Sequence, residues 1–188
     1  YGISEYEKVI GYVGSALPRK GITYLIEAFE ILCKKHKGLS LVLVGIDADD
    51  LKKYHISNYI RDKIIPVGFR KDVSNCMACF DIFAFPGIAD EGLTGTVREA
   101  AAMGLPVVTT DVAGNSELII NNQNGIVVPK KNPDALSAAI EYLIENPLKA
   151  EVFGKNARKF VVDNMSNEVR ARKVESIYYE ILGKPSEP

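Results

Sequence analysis

Two short stretches hold residue types that suit a phosphorylated ligand. In the first, Arg19-Lys20-Gly21 sets two adjacent cations just ahead of a helical pattern. Two cations at a strand end, beside a helix N-terminus, fit a phosphate. Arg19 and Lys20 equally read as solvated loop charges. The second stretch is Asp90-Glu91-Gly92-Leu93-Thr94-Gly95-Thr96-Val97-Arg98-Glu99. Gly92 and Gly95 let the backbone come close to a ligand. A helix starting near Gly95 would aim its free amides there, together with the hydroxyls of Thr94 and Thr96. Glu99 lies one turn in, about 6 Å along the axis. A diphosphate on those amides would bring an attached ribose within reach of Glu99, and Glu91 could receive hydroxyls at the diphosphate's other end. The alternative is that both glutamates are solvated or capping charges. For Glu99 this is weakened by Ala100-Ala101-Ala102, which reads as a closely packed helix.

Other chemistries find no support. Gly11 and Gly14 lack the third glycine of a dinucleotide fingerprint, and no GxxxxGK[ST] loop occurs. A receiver domain would need acidic residues where Gly14-Ser15 stand, and no Ser-His-Asp arrangement is readable. Cys76-Met77-Ala78-Cys79 has CxxC spacing, but the histidines, His36 and His55, lie in unrelated polar segments. A zinc site needs two more ligands, and no metal is expected. Cys76 and Cys79 read as small apolar residues packing a short helix.

The elements that must position these stretches follow from hydrophobic period. Short, continuously apolar runs at Val9–Val13, Leu41–Val44, Ile64–Val67, Ile82–Phe85, Val107–Thr109 and Gly125–Val128 read as buried strands. Between them, helical spacing covers Ile22 to about Lys34–Gly38, Asp49–Tyr59, Val73–Cys79 and Gly95–Met103. Three further helices are expected at Pro133–Glu145, Pro147–Asn164 and Asn167–Leu182, then a frayed end from Gly183. Apolar strands alternating with helices give a parallel sheet covered on both faces. The fold class is α/β, a doubly wound Rossmann-like sheet of about six strands with C-terminal helices. In such sheets ligands bind outside the strands' carboxyl ends.

Residues 1–188 read as one domain, with 167–188 as terminal helix and tail. The formal charge is 23 − 24 = −1, with 47% apolar and 25% charged residues. That balance fits a soluble globular chain and argues against a general nucleic-acid or membrane-surface binder. The apolar runs fall short of the ~20 residues of a membrane helix. The start, Tyr1-Gly2-Ile3-Ser4-Glu5, lacks a signal-peptide pattern and does not begin with Met, which points to a longer parent chain. An odd cysteine count fits a reducing, cytoplasmic setting.

Taken in order, the motifs resemble the C-terminal, donor-binding domain of GT-B glycosyltransferases, specifically the retaining enzymes of glycosyltransferase family 4 (glycosyl transferases group 1). Gly14 to Gly21 is similar to the family's Gly-Arg-x4-Lys-Gly segment. Val67-Gly68-Phe69-Arg70-Lys71-Asp72-Val73 resembles its third-strand loop, and Asp81–Pro86 the strand leading into the site. Glu91 to Glu99 matches E-x7-E, and Glu99–Val108, Asp111–Ile119 and Asn124–Pro129 follow in family order.

The resemblance implies a nucleoside-diphosphate sugar, UDP- or GDP-linked, as substrate, with no cofactor and no metal. It implies Lys20 and Glu91 as catalytic residues. Ser15, Arg19, Lys20, Gly95 and Thr96 would face the donor diphosphate, and Glu91, Gly92, Leu93 and Thr94 the donor sugar. Glu99 would hold the ribose, and Phe69 and Arg70 would lie near the nucleobase. The implied partner is an N-terminal acceptor-binding domain of the same enzyme, through which peripheral membrane association would arise. The acceptor would be a saccharide or lipid. Ile177, Tyr178 and Ile181 of the last helix would then lack part of their packing here. Two positions depart from the family: Ser15 replaces an arginine, and Thr94 replaces a glycine that is displaced to Gly95. They leave open a catalytically inactive binding or assembly module. A nucleotide-sugar epimerase is a further alternative, although the His-poor loops offer it few acid/base groups. A phosphorylase lacks a clear loop for a cofactor lysine.

Overall fold

The computed structural model describes residues 2–89, 94–112 and 114–183. In chain order the elements are β1 (Lys8–Val13), α1 (Ile22–Lys35), β2 (Leu39–Val44), α2 (Ala48–Leu51), α3 (Asn58–Arg61), β3 (Ile64–Gly68), α4 (Val73–Met77) and β4 (Ile82–Phe85). They continue with α5 (Gly95–Ala102), β5 (Val107–Thr110), α6 (Asn115–Leu118), β6 (Ile126–Val128), α7 (Pro133–Glu145), α8 (Pro147–Met165) and α9 (Asn167–Ile181).

The six strands form one sheet in the order β3-β2-β1-β4-β5-β6, and every pairing is parallel. β2 is buried at all six positions, so its apolar residues run continuously rather than alternating. That is the signature of a strand covered on both faces. α1 turns Leu25, Ile26, Phe29 and Leu32 into the core at helical spacing, and packs against α7, while α5 packs against α8. Pro133 at the first position of α7 and the Asn132 side chain, which accepts from the Ala135 amide, start that helix as expected.

The chain leaves β1 toward β2 and β3, then returns to place β4 on β1's other side. The strand order therefore reverses between β1 and β4. This is the point at which open α/β sheets leave a crevice for ligand.

Three expectations change. The stretch 49–59 is not one helix but two single turns, α2 and α3. Asp47 caps α2, Lys52 and Lys53 pair back to Asp49 and Asp50, and too few apolar positions exist to bury a longer helix. α4 ends at Met77, so Cys79 lies beyond it and is exposed, while Met77 and Phe80 fill the core instead. A short turn at Pro18–Lys20 and the α6 helix were not foreseen. α9 buries none of its residues, and Ile177, Tyr178 and Ile181 are all more than half exposed.

Candidate functional site

Because all strands run parallel, the loops after β1, β3, β4 and β5 share one edge of the sheet. The strand ends there are tied together: the Gly14 amide donates to the Val44 carbonyl at 2.9 Å, and the Gly45 amide to the Gly68 carbonyl at 2.8 Å.

The loop after β1 is held from behind. The Ser15 carbonyl accepts from the Tyr12 hydroxyl at 3.1 Å, and the Ala16 carbonyl from the Tyr54 hydroxyl at 3.1 Å. The Arg19 carbonyl accepts from the Ile88 amide at 2.9 Å, which joins this loop to the one after β4. Gly21 closes the Pro18–Lys20 turn with φ 71°, and α1 begins after it. A Cβ there would lie 2.0 Å from the Pro86 carbonyl oxygen, so only glycine lets the two loops meet this closely. Carbonyls of this loop are thus engaged, whereas the amides of Ser15, Ala16 and Leu17 find no acceptor among the described residues. Such a loop offers donors and positive charge. Ser15 and Arg19 are exposed and Lys20 is half-buried. The Lys20 ammonium sits 5.2 Å from the centroid of the Phe85 ring.

On the other side of the crevice, Thr94 caps α5 by backbone geometry alone, without a side-chain hydrogen bond. By position, the amides of Gly95, Thr96 and Val97 have no partner within the helix. A Cβ built on Gly95 would meet nothing within 4 Å among the described residues. The hydroxyl oxygens of Thr94 and Thr96 are buried and find no hydrogen-bond partner among the described residues. Glu91, Gly92 and Leu93 lie outside the described residues.

A network that sequence reading missed holds the start of α5. Fully buried Asn115 donates through Nδ2 to Thr109 Oγ1 at 3.0 Å and accepts at Oδ1 from the Thr94 amide at 3.4 Å. Thr109 Oγ1 donates on to the Phe85 carbonyl at 3.3 Å, and Thr110 Oγ1 donates to the Gly87 carbonyl at 2.6 Å. The clue in the sequence was an asparagine beside Gly114, a short step ahead of the apolar run Leu118-Ile119-Ile120.

Glu99 is exposed and lines a groove of about 460 Å³ with Lys71, Val73, Ser74 and Met77. The structure therefore brings Glu99 to the β3–α4 loop. Phe69 and Arg70 stand just before that lining rather than in it. Phe69 is 84% exposed. Arg70 makes a two-pronged pair with Asp72 at 2.8 and 2.7 Å, which holds the Asp72 carboxyl below its ordinary range.

Two other features lie at the opposite edge of the sheet. A hollow of about 450 Å³ is lined by Lys8, Phe80, Asp81, Cys76 and Cys79, among others. Among the described residues, one trio could hold a metal ion: His36, Glu141 and Glu145. It sits where α1 ends against α7, and Glu141 is already paired with Lys35 at 2.7 Å and His36 at 2.9 Å. No helix among the described residues is long and apolar enough to cross a membrane.

Residues 1–160 match the family model of glycosyl transferases group 1. Among curated relatives, the chain is 31% identical over 178 residues to the capsular polysaccharide biosynthesis glycosyltransferase CapM of Staphylococcus aureus, covering 93% of this chain and 46% of CapM. Among solved structures, a glycosyltransferase from Rickettsia africae superposes with a TM-score of 0.84 at 27% identity, covering 95% of this chain and 49% of that one. A TarM mutant of S. aureus, solved in complex with fondaparinux, alpha-GlcNAc-glycerol and UDP, superposes with a TM-score of 0.78 at 26% identity, covering 89% of this chain and 34% of TarM. The chain spans about half the length of the curated relatives it matches.

Proposed function

The chain belongs to the family of glycosyl transferases group 1, and from that membership we propose that it is the donor-binding, C-terminal half of a retaining GT-B enzyme of glycosyltransferase family 4. One observation carries the reading. At the reversal between β1 and β4, the loop after β1 carries Arg19, Lys20 and amides that find no acceptor among the described residues, and the chain leaving β4 leads to the side-chain-uncapped start of α5. Both are anion-binding arrangements, and a diphosphate is long enough to use both. The nucleotide is UDP or GDP; the UDP in the TarM complex favours UDP.

In transfer, the acceptor's hydroxyl oxygen bonds to the sugar's anomeric carbon as the bond from that carbon to the β-phosphate oxygen breaks; the electron pair leaves with the diphosphate, which takes up the hydroxyl's proton. Lys20, the Gly95 and Thr96 amides and Arg19 oppose that growing charge, which is the main catalytic contribution from this side. The positive end of α5 supports them, and no metal is required. Glu99 accepts from the ribose hydroxyls in the groove it shares with Lys71 and Ser74. Phe69 and Arg70 approach the base from the groove's rim. Glu91 serves the donor sugar. The acceptor, a saccharide or lipid, is held by an N-terminal domain of the full-length enzyme, and the exposed apolar side chains of α9 pack on that domain.

The test is calorimetry of the full-length protein with UDP and GDP. Micromolar binding by one of them, lost in Lys20→Ala and weakened in Glu99→Ala, is expected. Binding by neither, with both variants indifferent in donor use, would refute the reading. Ser15, which offers no guanidinium to the diphosphate, favours a second reading: a domain that binds donor without transferring it. Sugar transfer by the full-length protein would exclude that one.

A further inference from the structure

The rings of Tyr12 and Phe85 lie beneath the two loops that border the crevice. Both are fully buried, with centroids 6.1 Å apart and planes within 12° of parallel. The glycines that follow the two strands rest directly against them. A Cβ at Gly14 would lie 2.4 Å from the Tyr12 hydroxyl, and one at Gly87 would lie 2.8 Å from Phe85 Cε1. The Tyr12 hydroxyl donates to the Ser15 carbonyl, and the Lys20 ammonium stands 5.2 Å from the Phe85 centroid. The first and last residues of loop 15–20 are thus each held by one member of the stacked pair.

We propose that the Tyr12–Phe85 pair is a positioning platform that sets the Lys20 ammonium for a nucleoside diphosphate. The inference rests on the reading of Lys20 given above. A lysine at the end of a surface loop has a long, mobile stem, and fixing it when ligand binds costs conformational entropy. A cation within about 6 Å of an aromatic face is attracted by the ring's quadrupole, more strongly where the face is dry. Phe85 is buried, so its face acts in such surroundings. The lysine is therefore ordered before the anion arrives, and less of the binding energy goes into ordering it. The hydroxyl of Tyr12 completes the arrangement by fixing the start of the loop that carries the unaccepted amides.

The experiment compares affinities of the full-length protein for the bound nucleoside diphosphate, UDP or GDP, and for its phosphate-free nucleoside. Phe85→Met keeps apolar bulk and removes the ring face. It is expected to weaken the diphosphate about tenfold and to leave the nucleoside within about twofold. The double variant Lys20→Ala/Phe85→Met should bind the diphosphate no worse than Lys20→Ala alone, because both changes remove one interaction. Equal weakening of both ligands by Phe85→Met, or additive losses in the double variant, would overturn the platform. If Phe85→Met fails to fold, Tyr12→Phe decides, since it keeps both rings and removes the tie to Ser15. A severalfold loss for the diphosphate alone supports the proposal, and unchanged affinity overturns it. Wild-type protein that binds neither UDP nor GDP overturns this inference together with the functional reading beneath it. Additive variants in a protein that does bind overturn the inference alone.

Discussion

The carbonyl of Arg19 accepts a hydrogen bond from the amide of Ile88 at 2.9 Å, so the loops after β1 and β4 are joined across the point where the strand order reverses. Two segments far apart in sequence are therefore linked directly, backbone to backbone. Gly21 and Pro86 are in contact at the same seam.

That seam is sensitive to a single methyl group. Gly21 has φ 71°, and an added Cβ would lie 2.0 Å from the Pro86 carbonyl oxygen. For a non-glycine residue the left-handed conformation alone costs about 1–3 kcal/mol, and the clash with backbone adds to it. Gly21→Ala should lower the urea midpoint of unfolding and weaken nucleotide binding, because relief of the clash separates the two loops. An unchanged midpoint would show that the loops part freely.

Glu99 should behave in the opposite way. It is exposed on α5 and lines the groove shared with Ser74 and Lys71. Glu99→Gln should leave the melting temperature within about a degree, since surface changes of this kind stay within about ±0.5 kcal/mol. It should weaken UDP or GDP severalfold in calorimetry and weaken the 2′-deoxynucleotide much less. Equal effects on ribose and deoxyribose ligands would remove Glu99 from ribose recognition.

The three thiols should separate by exposure. Cys79 is exposed, Cys76 half-buried and Cys33 buried. Burial, the first cause, pushes the Cys33 thiol up, partly opposed by nearby Lys63, so it holds less thiolate at neutral pH. Labelling with a thiol reagent in native buffer should modify Cys79 first and Cys33 only on unfolding. Mass spectrometry of the digested protein reads the order directly.

Most of the sheet was legible because parallel strands buried on both faces leave continuous apolar runs, as Ile82–Phe85 did. α7 was legible because Asn132 and Pro133 mark its start. What escaped were features fixed by tertiary contact. Residues 49–59 carry helix-forming charges, yet nothing apolar on that face calls for a long helix. Cys79 looked like core, but Met77 and Phe80 are larger and took the buried positions. At the candidate site, Arg19, Lys20 and Gly95 stand out in the sequence by charge and glycine placement. Asn115 could not, because its role depends on Thr94 and Thr109 converging from separate segments. The Tyr12–Phe85 stack joins two strands distant in sequence, and no periodicity reports such a pair.

The joint between α1 and α7 gives a pH dependence with a definite sign. Hydrogen bonds from Lys35, and then His36, hold the Glu141 carboxyl below the ordinary glutamate range. A carboxylate whose folded pKa is depressed contributes stability that is fully present above its unfolded pKa. That contribution is lost as pH falls through the folded value. Glu141→Gln should therefore melt lower than wild type at pH 7. The gap should close in acid, below the ordinary glutamate range. A gap that persists there would mean that Glu141 acts through packing rather than charge.

Asn115 offers the sharpest separation of stability from binding. It is fully buried, and its two amide atoms serve different segments: Nδ2 reaches Thr109 at the end of β5, and Oδ1 receives the Thr94 amide at the start of α5. Asn115→Ala would leave the Thr94 amide without its acceptor, at about 1–3 kcal/mol, and would take from Thr109 Oγ1 the donor it accepts from, while that hydroxyl keeps its bond to the Phe85 carbonyl. Asn115→Asp keeps the acceptor toward Thr94. It loses the amide donor to Thr109, and it places a carboxylate behind the proposed anion-binding N-terminus of α5. The two variants should therefore rank differently. Asn115→Ala should be measurably destabilised in urea, with nucleotide affinity reduced through the slackened start of α5. Asn115→Asp should hold α5 in place, yet bind the diphosphate more weakly than its stability predicts, because an added negative charge opposes the ligand. If Asn115→Asp bound UDP and GDP as wild type does, the start of α5 would not be where the diphosphate sits.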